Sequence, residues 1–411
     1  MGFREISWAA GMCLLSAGCV RAPPAGGADA SAADADLAIA DAAHDDAGSA
    51  DAMPEIDDAF VPDAFAERDA FVASQDASVA PSWDPYAVLS LNLHCLLTAG
   101  TAYATNVDRF AGIAALVARE QVKLILAQEV CERPGESARA QLAAALALAT
   151  GERWSSEWTY THDAWIGTPD EAREGVAIFA RGTLGGTVAV DYRAQSVLRR
   201  VMLTARADEA LGGARFATVH LEHAEAAVRE RQAAESAAAA LAISDPSLDL
   251  VIGGDLNAIA QSDAWSRFSE MGFVDATASL DARRIDHLFV HRGAALVASS
   301  PRLVFTGQAE PRVSDHPGVL VTLAPGPRAT IVATRFAAAG STPLSVRGDR
   351  APLSWERGWP AWSSGGMSRL VVTELAAGPF EYKWLERDEV WQRGPNLAGA
   401  GGQDQLDSPS F

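Results

Sequence analysis

Between residues 83 and 325 one arrangement of apolar and polar positions recurs: a short apolar run, then polar or titratable side chains where the run stops. Runs of this length, bounded by turn residues, predict buried strands. They fall at 86–95, 122–127, 175–181, 197–205, 216–221, 250–252, 285–290 and 318–323. Helical spacing appears between them. Asn106 stands where it can cap a helix carrying the apolar stripe Phe110, Ile113, Leu116 and Val117. Alanine-rich helices are expected at 141–149 and 224–241. After residue 326 the pattern changes to short strands at 330–336, 344–346, 370–374 and 380–385, separated by Gly, Pro and Ser turns, which predicts a small β-sandwich.

The first 82 residues read differently. Arg4 precedes an apolar stretch from Ile6 to Ala17, too short to span a bilayer, and then Gly18-Cys19. This stretch resembles an export signal, and Leu14-Leu15-Ser16-Ala17-Gly18-Cys19 resembles a lipoprotein box in which Cys19 is lipidated; plain secretion is the alternative. Residues 20–82 are rich in Ala, Asp, Pro and Ser, a composition expected to remain a disordered tether. The expected location is the outer membrane or cell surface, otherwise the periplasm or medium. The only membrane contact expected is the lipid at Cys19, and the protein is expected to be a monomer.

Charge sharpens this division. Residues 1–82 hold 15 acids and 3 bases, residues 83–325 hold 29 and 21, and residues 326–411 hold 9 of each. More than half of the net charge of -20 thus belongs to the tether, and the low pI says little about a partner. The net -8 of the middle segment offers no extended basic track for nucleic acid.

Candidate chemistry sits at the ends of the apolar runs. In Val251-Ile252-Gly253-Gly254-Asp255-Leu256-Asn257 an acid and an amide two residues apart can face one ligand, although Gly, Asp and Asn are also ordinary turn residues. Asn92, Glu129, His220 and His316 each lie at or just beyond a strand end. Asp286 lies within an apolar strand, where a carboxylate is costly unless paired.

Taken in order, Asn92, Gln128-Glu129, Thr218-Val219-His220-Leu221, Gly254-Asp255-Leu256-Asn257, Arg284-Ile285-Asp286-His287 and Ser314-Asp315-His316 resemble the motifs of the endonuclease/exonuclease/phosphatase superfamily over residues 84–325. The resemblance implies a four-layered α/β sandwich, with two mixed sheets face to face and helices outside, and cleavage of a phosphate ester, usually with Mg2+. It implies Glu129, with Asn92 and Asp315, at the metal. It further implies that Asp255 activates water, Asn257 holds a phosphoryl oxygen, His220 and His316 stabilise charge or move protons, and Asp286 orients His316. Arg181 and Arg200 are weaker candidates for phosphate contact. Where several relatives carry an acid two residues after the first Asn, this chain has His94, which also admits Mn2+. In the superfamily the strands ending at Asn92 and Glu129 are neighbours, so the resemblance also implies a disulfide between Cys95 and Cys131, against two buried free thiols. Loops set specificity in that superfamily, and here loops are expected to carry Trp154, Trp158, Tyr160, His162 and Trp165.

Residues 328–402 resemble a starch- or glycogen-binding domain, an immunoglobulin-like β-sandwich, through Leu353-Ser354-Trp355, Phe380-Glu381-Tyr382-Lys383-Trp384, Val390-Trp391 and Pro395-Asn396. That resemblance implies that Trp355, Lys383, Trp391 and Asn396 hold an α-glucan; the alternative is a sandwich whose tryptophans form its core. Residues 403–411 are expected to be a flexible tail. Together the resemblances imply an exported phosphodiesterase, nuclease-like or sphingomyelinase-like, with a surface glucan-binding protein of inert catalytic type as the alternative.

Overall fold

The computed structural model describes residues 83–411, apart from 245–248, 292–293, 295, 327–329, 336–341, 365–366, 373–374, 376–377 and 402–404. The export segment, Cys19 and the tether lie outside the described residues. Among the described residues no helix is long and apolar enough to cross a membrane.

The chain runs through β1 (Tyr86–Asn92), α1 (Asn106–Arg119), β2 (Val122–Gln128), β3 (Glu132–Arg133), β4 (Glu136–Ser137), α2 (Ala138–Thr150), β5 (Trp154–Ala164), β6 (Ala172–Arg181) and β7 (Leu184–Asp191). It continues through β8 (Val201–Ala207), β9 (Arg215–His220), α3 (Ala226–Ile243), β10 (Leu250–Asp255), α4 (Asp263–Glu270), β11 (Phe273–Asp275), β12 (Asp286–His291), β13 (Leu296–Val304) and β14 (Gly318–Pro325). One sheet has the order β13-β14-β1-β2-β6-β3-β4, with β5 paired to β6; the other has the order β11-β12-β10-β9-β8-β7.

Alternation along each strand builds the layers. Val88, Leu124, Leu126 and Ile178 of the first sheet meet Leu203, Phe216, Val251 and Leu288 of the second in a central core. Their neighbours Leu89, Leu91 and Ile125 turn outward onto Phe110, Ile113, Leu142 and Leu146 of α1 and α2. On the far side Val219, Ile252 and Phe289 pack on Ala233, Ala237 and Phe268 of α3 and α4. Strands covered on both faces need apolar residues at nearly every position, which is why β1, β9 and β10 are buried throughout. The result is the four-layered α/β sandwich.

Several boundaries differ from expectation. Thr105, not Asn106, caps α1, its side chain accepting from Asp108 N; Asn106 opens the helix and donates from Nδ2 to the Leu96 carbonyl. β5 contains Trp154, Trp158, Tyr160 and His162, which therefore belong to an 11-residue strand rather than to loops. Only Trp165, just beyond it, lies on a loop, 42% exposed.

The C-terminal segment consists of two further sheets. One contains Thr330–Arg335, Met367–Val372 and, parallel to the first, Gln405–Asp407; the other is built on Leu344–Gly348 and Gly378–Glu386. Val346, Leu370, Val372, Tyr382 and the wholly buried Trp384 share one core, as in a small β-sandwich. The end of the chain is not a tail. Asp407 accepts hydrogen bonds from Tyr382 Oη at 2.7 Å and Trp384 Nε1 at 3.0 Å, which fastens Gln405–Asp407 to the sandwich.

Candidate active site

Strand register places the candidate groups. In the second sheet β9 and β12 flank β10, with Asp255 opposite His220 on one side and Asp286 on the other. In the first sheet Asn92 pairs with Gln128, so Asn92 and Glu129 end adjacent strands. Gln128 Nε2 donates to Thr218 Oγ1 at 2.9 Å, tying the two sheets together beneath this rim. Gly254 has φ +151°, and a Cβ there would collide with the Val219 carbonyl, so the motif requires glycine immediately before Asp255.

Asn92 bridges the two sheets. Its Nδ2 donates to Glu129 Oε1 at 2.8 Å and to Asp255 Oδ2 at 3.3 Å, while its Oδ1 accepts from the His94 backbone N–H at 2.8 Å. It therefore turns donors, not its oxygen, toward the carboxylates: it lies at the expected metal edge, but in this orientation it is a bracket rather than a cation ligand. Asp255 Oδ1 accepts from Asn257 N at 2.8 Å, and Asn257 Nδ2 donates to the Leu221 carbonyl at 3.0 Å. Burial first, and then the charge of Asp286, hold the Asp255 carboxyl above the ordinary carboxylate range.

The two histidines are in opposite states. His316 Nδ1 lies 2.9 Å from Asp286 Oδ2 and 3.8 Å from Asp255 Oδ2. Burial alone would lower its pKa, but the bond and charge of Asp286, with Asp255 and Asp315, outweigh burial and raise it to about 11. His316 is thus an imidazolium. His220 is buried, and desolvation followed by the adjacent Arg200 keeps its pKa well below 6.5. The Arg200 guanidinium donates to His220 Nδ1 at 2.9 Å, which leaves the proton of the neutral ring on Nε2, 3.6 Å from Asp255.

Arg200 therefore supports His220 from a buried position, 3% exposed, and is not a surface phosphate contact. Arg181 is not part of the site either. It lies seven residues along β6 from Glu174, about 23 Å away at strand spacing, and pairs with Glu152.

The sequence reading missed Glu174. Its carboxylate lies 3.7 Å from His220, Arg200 and His162, and burial raises its pKa to about 8, with Glu129 and Asp255 adding to the shift. It also missed Arg109, fully buried, which donates to the carbonyls of Leu93, Cys95 and Val313 and so joins the loop after β1 to the loop before β14. A third omission is the network behind Asn257. Asp275 pairs with Arg284 at 2.6 Å and with His287 Nδ1 at 2.9 Å, and His287 Nε2 lies 3.0 Å from the Ala258 carbonyl.

Cys95 and Cys131 form a disulfide with Cα atoms 4.8 Å apart, joining the loops beyond β1 and β2. His94, Cys95 and Glu129 all adopt positive φ, near 50°. His94 Nδ1 lies 3.1 Å from Asp315 Oδ1. Burial opposes ionisation of Asp315, yet the bond from His94 wins and holds its carboxyl at about 2.

Oxygen donors at this rim fit a divalent cation. Asp255, Asp286 and His316 bring ligand atoms within 4.8 Å of one another, and His316 Nδ1 is bonded to Asp286 Oδ2 at 2.9 Å. Among the described residues Glu129 has no cationic partner, and its one side-chain bond comes from Asn92. An all-oxygen edge of this kind suits Mg2+ or Mn2+.

In the C-terminal sandwich, Trp355 and Trp391 face one another at 6.2 Å with a 39° tilt, and Trp391 is 40% exposed. Lys383 Nζ donates to the Gly394 carbonyl at 2.8 Å, and Asn396 Nδ2 donates to Glu381 Oε2 at 2.7 Å. Trp384 is core, whereas Trp355 and Trp391 lie outside it.

The fold and this rim define a hydrolase of the four-layered phosphoesterase class. The Endonuclease/Exonuclease/phosphatase family matches residues 89–316, more than half of the chain, and the chain belongs to that family. Among solved structures it resembles an endonuclease/exonuclease/phosphatase from Beutenbergia cavernae DSM 12333, at 20% identity over 77% of this chain and 99% of that one, with a TM-score of 0.50. It also resembles a family protein from Leptotrichia buccalis C-1013-b, at 18% identity over 58% of this chain and 99% of that one, with a TM-score of 0.48. A mannosyl-6-phosphatase of Bacteroides thetaiotaomicron VPI-5482 matches at 17% identity, over 58% and 99%, with a TM-score of 0.44. Comparison with curated proteins gives no match.

Proposed function

We propose that the protein is an exported, divalent-metal-dependent phosphodiesterase. The observation that carries this reading is the register of His220, Asp255 and Asp286 on adjacent strands, facing Glu129 through the Asn92 bracket. Glu129 and Asp315 are the groups that would hold the cation, which when bound neutralises phosphate charge. Asp255, oriented by Asn257 N and Asn92 Nδ2, takes a proton from the attacking water. The water oxygen bonds to phosphorus, the P–O bond to the leaving group breaks, and the departing oxygen receives a proton from His316. Asp286 holds that imidazolium in place. His220, neutral and fixed by Arg200, donates Nε2–H to a phosphoryl oxygen, as does the second amide N–H of Asn257.

The intact set of groups weighs against an inert domain that only displays a glucan-binding module. We read the Trp355–Trp391 pair, with Lys383 and Asn396, as an α-glucan site beside the hydrolase, and Cys19 as the lipid anchor of an outer-membrane or cell-surface protein acting as a monomer. A screen of DNA, RNA, sphingomyelin, inositol phosphates and nucleotides, with Mg2+ or Mn2+ and with chelator, tests the catalytic reading. Chelator-sensitive hydrolysis of at least one phosphoester is expected. Failure on every substrate, together with tight amylose binding, would favour the inert alternative.

A further inference from the structure

Asn257 closes the turn after β10 in a conformation that needs outside support. Its φ is +50°, in the left-handed region that residues with a Cβ enter at a cost. Two bonds of Asn257 tie the turn from the front: its N donates to Asp255 Oδ1, and its Nδ2 donates to the Leu221 carbonyl. From behind, the Ala258 carbonyl is held by His287 Nε2 at 3.0 Å. A carbonyl only accepts, so Nε2 carries a proton and is the donor.

His287 is fully buried and is itself fixed. Its Nδ1 lies 2.9 Å from Asp275 Oδ2, and its ring stacks on Phe289 with centroids 5.7 Å and planes 20° apart. Asp275 is anchored in turn. Its Oδ2 accepts from Arg284 Nη2 at 2.6 Å and Trp265 Nε1 at 3.0 Å, and its Oδ1 accepts from Thr277 N at 2.8 Å. Successive residues of β12 therefore serve the site from opposite faces of the sheet, Asp286 toward His316 and His287 toward Ala258. A buried histidine needs polar partners, where a hydrocarbon ring would pack without them. What the imidazole adds at this place is the bond to the turn.

We propose that His287 is a positioning residue for the reaction: through the Ala258 carbonyl it holds Asn257 where its N–H orients Asp255 and its amide meets a phosphoryl oxygen. The inference rests on the phosphodiesterase reading, which gives Asn257 and Asp255 those roles.

The test is a double-mutant cycle on bis(p-nitrophenyl) phosphate with Mn2+, using H287F, N257A and H287F/N257A. H287F should lower kcat by about tenfold, the scale of one lost hydrogen bond, with KM changed by no more than about twofold. In the N257A background the same substitution should cost no more than about twofold, because its target is already gone. H287Q, whose amide places a donor near the position of Nε2, should restore most of kcat, and H287N, too short to reach the carbonyl, should not. That pair carries the comparison if H287F does not fold. Hydrogen exchange should be faster at residues 256–262 in H287F, with β9 and β10 as protected as in the wild type. Losses that multiply in the double variant, equal kcat for H287Q and H287N, or exchange raised across β9 and β10 alike would overturn the role and leave the phosphodiesterase reading standing. No hydrolysis by the wild type would overturn both.

Discussion

His316 Nδ1 lies 2.9 Å from Asp286 Oδ2, and this bond joins the loop entering β14 of one sheet to the first residue of β12 in the other. It holds an imidazolium beside Asp255, where a neutral ring would be expected from burial alone. The folded-state pKa, about 11, exceeds the ordinary 6.5, so the stability this pair contributes is full below about pH 6.5 and is lost as pH rises toward 11. Asp286→Asn removes the charge that sustains the imidazolium. Activity should fall by about a hundredfold or more, and the alkaline limb of the kcat/KM profile should move to lower pH by more than one unit. A profile of D286N coincident with that of the wild type would show that His316 does not depend on Asp286.

Glu129 is the carboxylate left without a cation at the rim, so Glu129→Gln should weaken Mn2+ binding by tenfold or more, measured by calorimetry or electron paramagnetic resonance. Wild-type affinity in E129Q would move the metal to Asp315.

The Cys95–Cys131 bridge spans 36 residues and clamps the two loops that carry His94 and Glu129. In the chain-entropy account, the C95A/C131A double variant should lose about 3–4 kcal/mol of unfolding free energy, seen as a lower denaturant midpoint. An unchanged midpoint would show that the loops are held by Arg109 and backbone bonds alone.

Much of this site was legible because apolar strands stop where chemistry begins. Asp255, His220 and Glu129 stand at the C-terminal ends of their strands, and the motif order supplied the rest. Glu174 was missed for a geometric reason: β6 runs antiparallel to β2, so its N-terminal end, not its C-terminal end, reaches the rim. The same reversal misplaced Arg181, which follows the apolar run of β6 but lies at the opposite edge. Arg109 gives no signal in the sequence, and Arg200 reads there as a phosphate contact rather than the partner of His220, because their partners are backbone carbonyls and a histidine from other segments, contacts with no local spacing to betray them. β5 reads as loop in the sequence because Trp154 to Ala164 mixes aromatic with polar residues along a half-exposed sheet edge, without an apolar run. Trp384 shows the converse, since a tryptophan in an aromatic-rich module is as readily core as binding surface.

Trp391 lies outside that core, 6.2 Å from Trp355, with Arg347 5.2 Å from its ring centroid. Trp391→Ala should abolish retention on amylose in affinity electrophoresis while leaving phosphodiesterase activity at the wild-type level. Unaltered retention would place glucan binding elsewhere or nowhere on the module.

The central claim is that Asp255 drives metal-dependent attack of water on a phosphodiester. The most direct measurement is the rate of bis(p-nitrophenyl) phosphate hydrolysis with Mg2+ or Mn2+ by the wild type and by Asp255→Asn, an isosteric change whose amide oxygen can still accept from Asn257 N, while its NH2 replaces the oxygen that accepted from Asn92 Nδ2. Chelator-sensitive turnover by the wild type is expected, with a loss of about a hundredfold or more in kcat for D255N and its fold preserved. Turnover by D255N within a few-fold of the wild type would contradict the central claim.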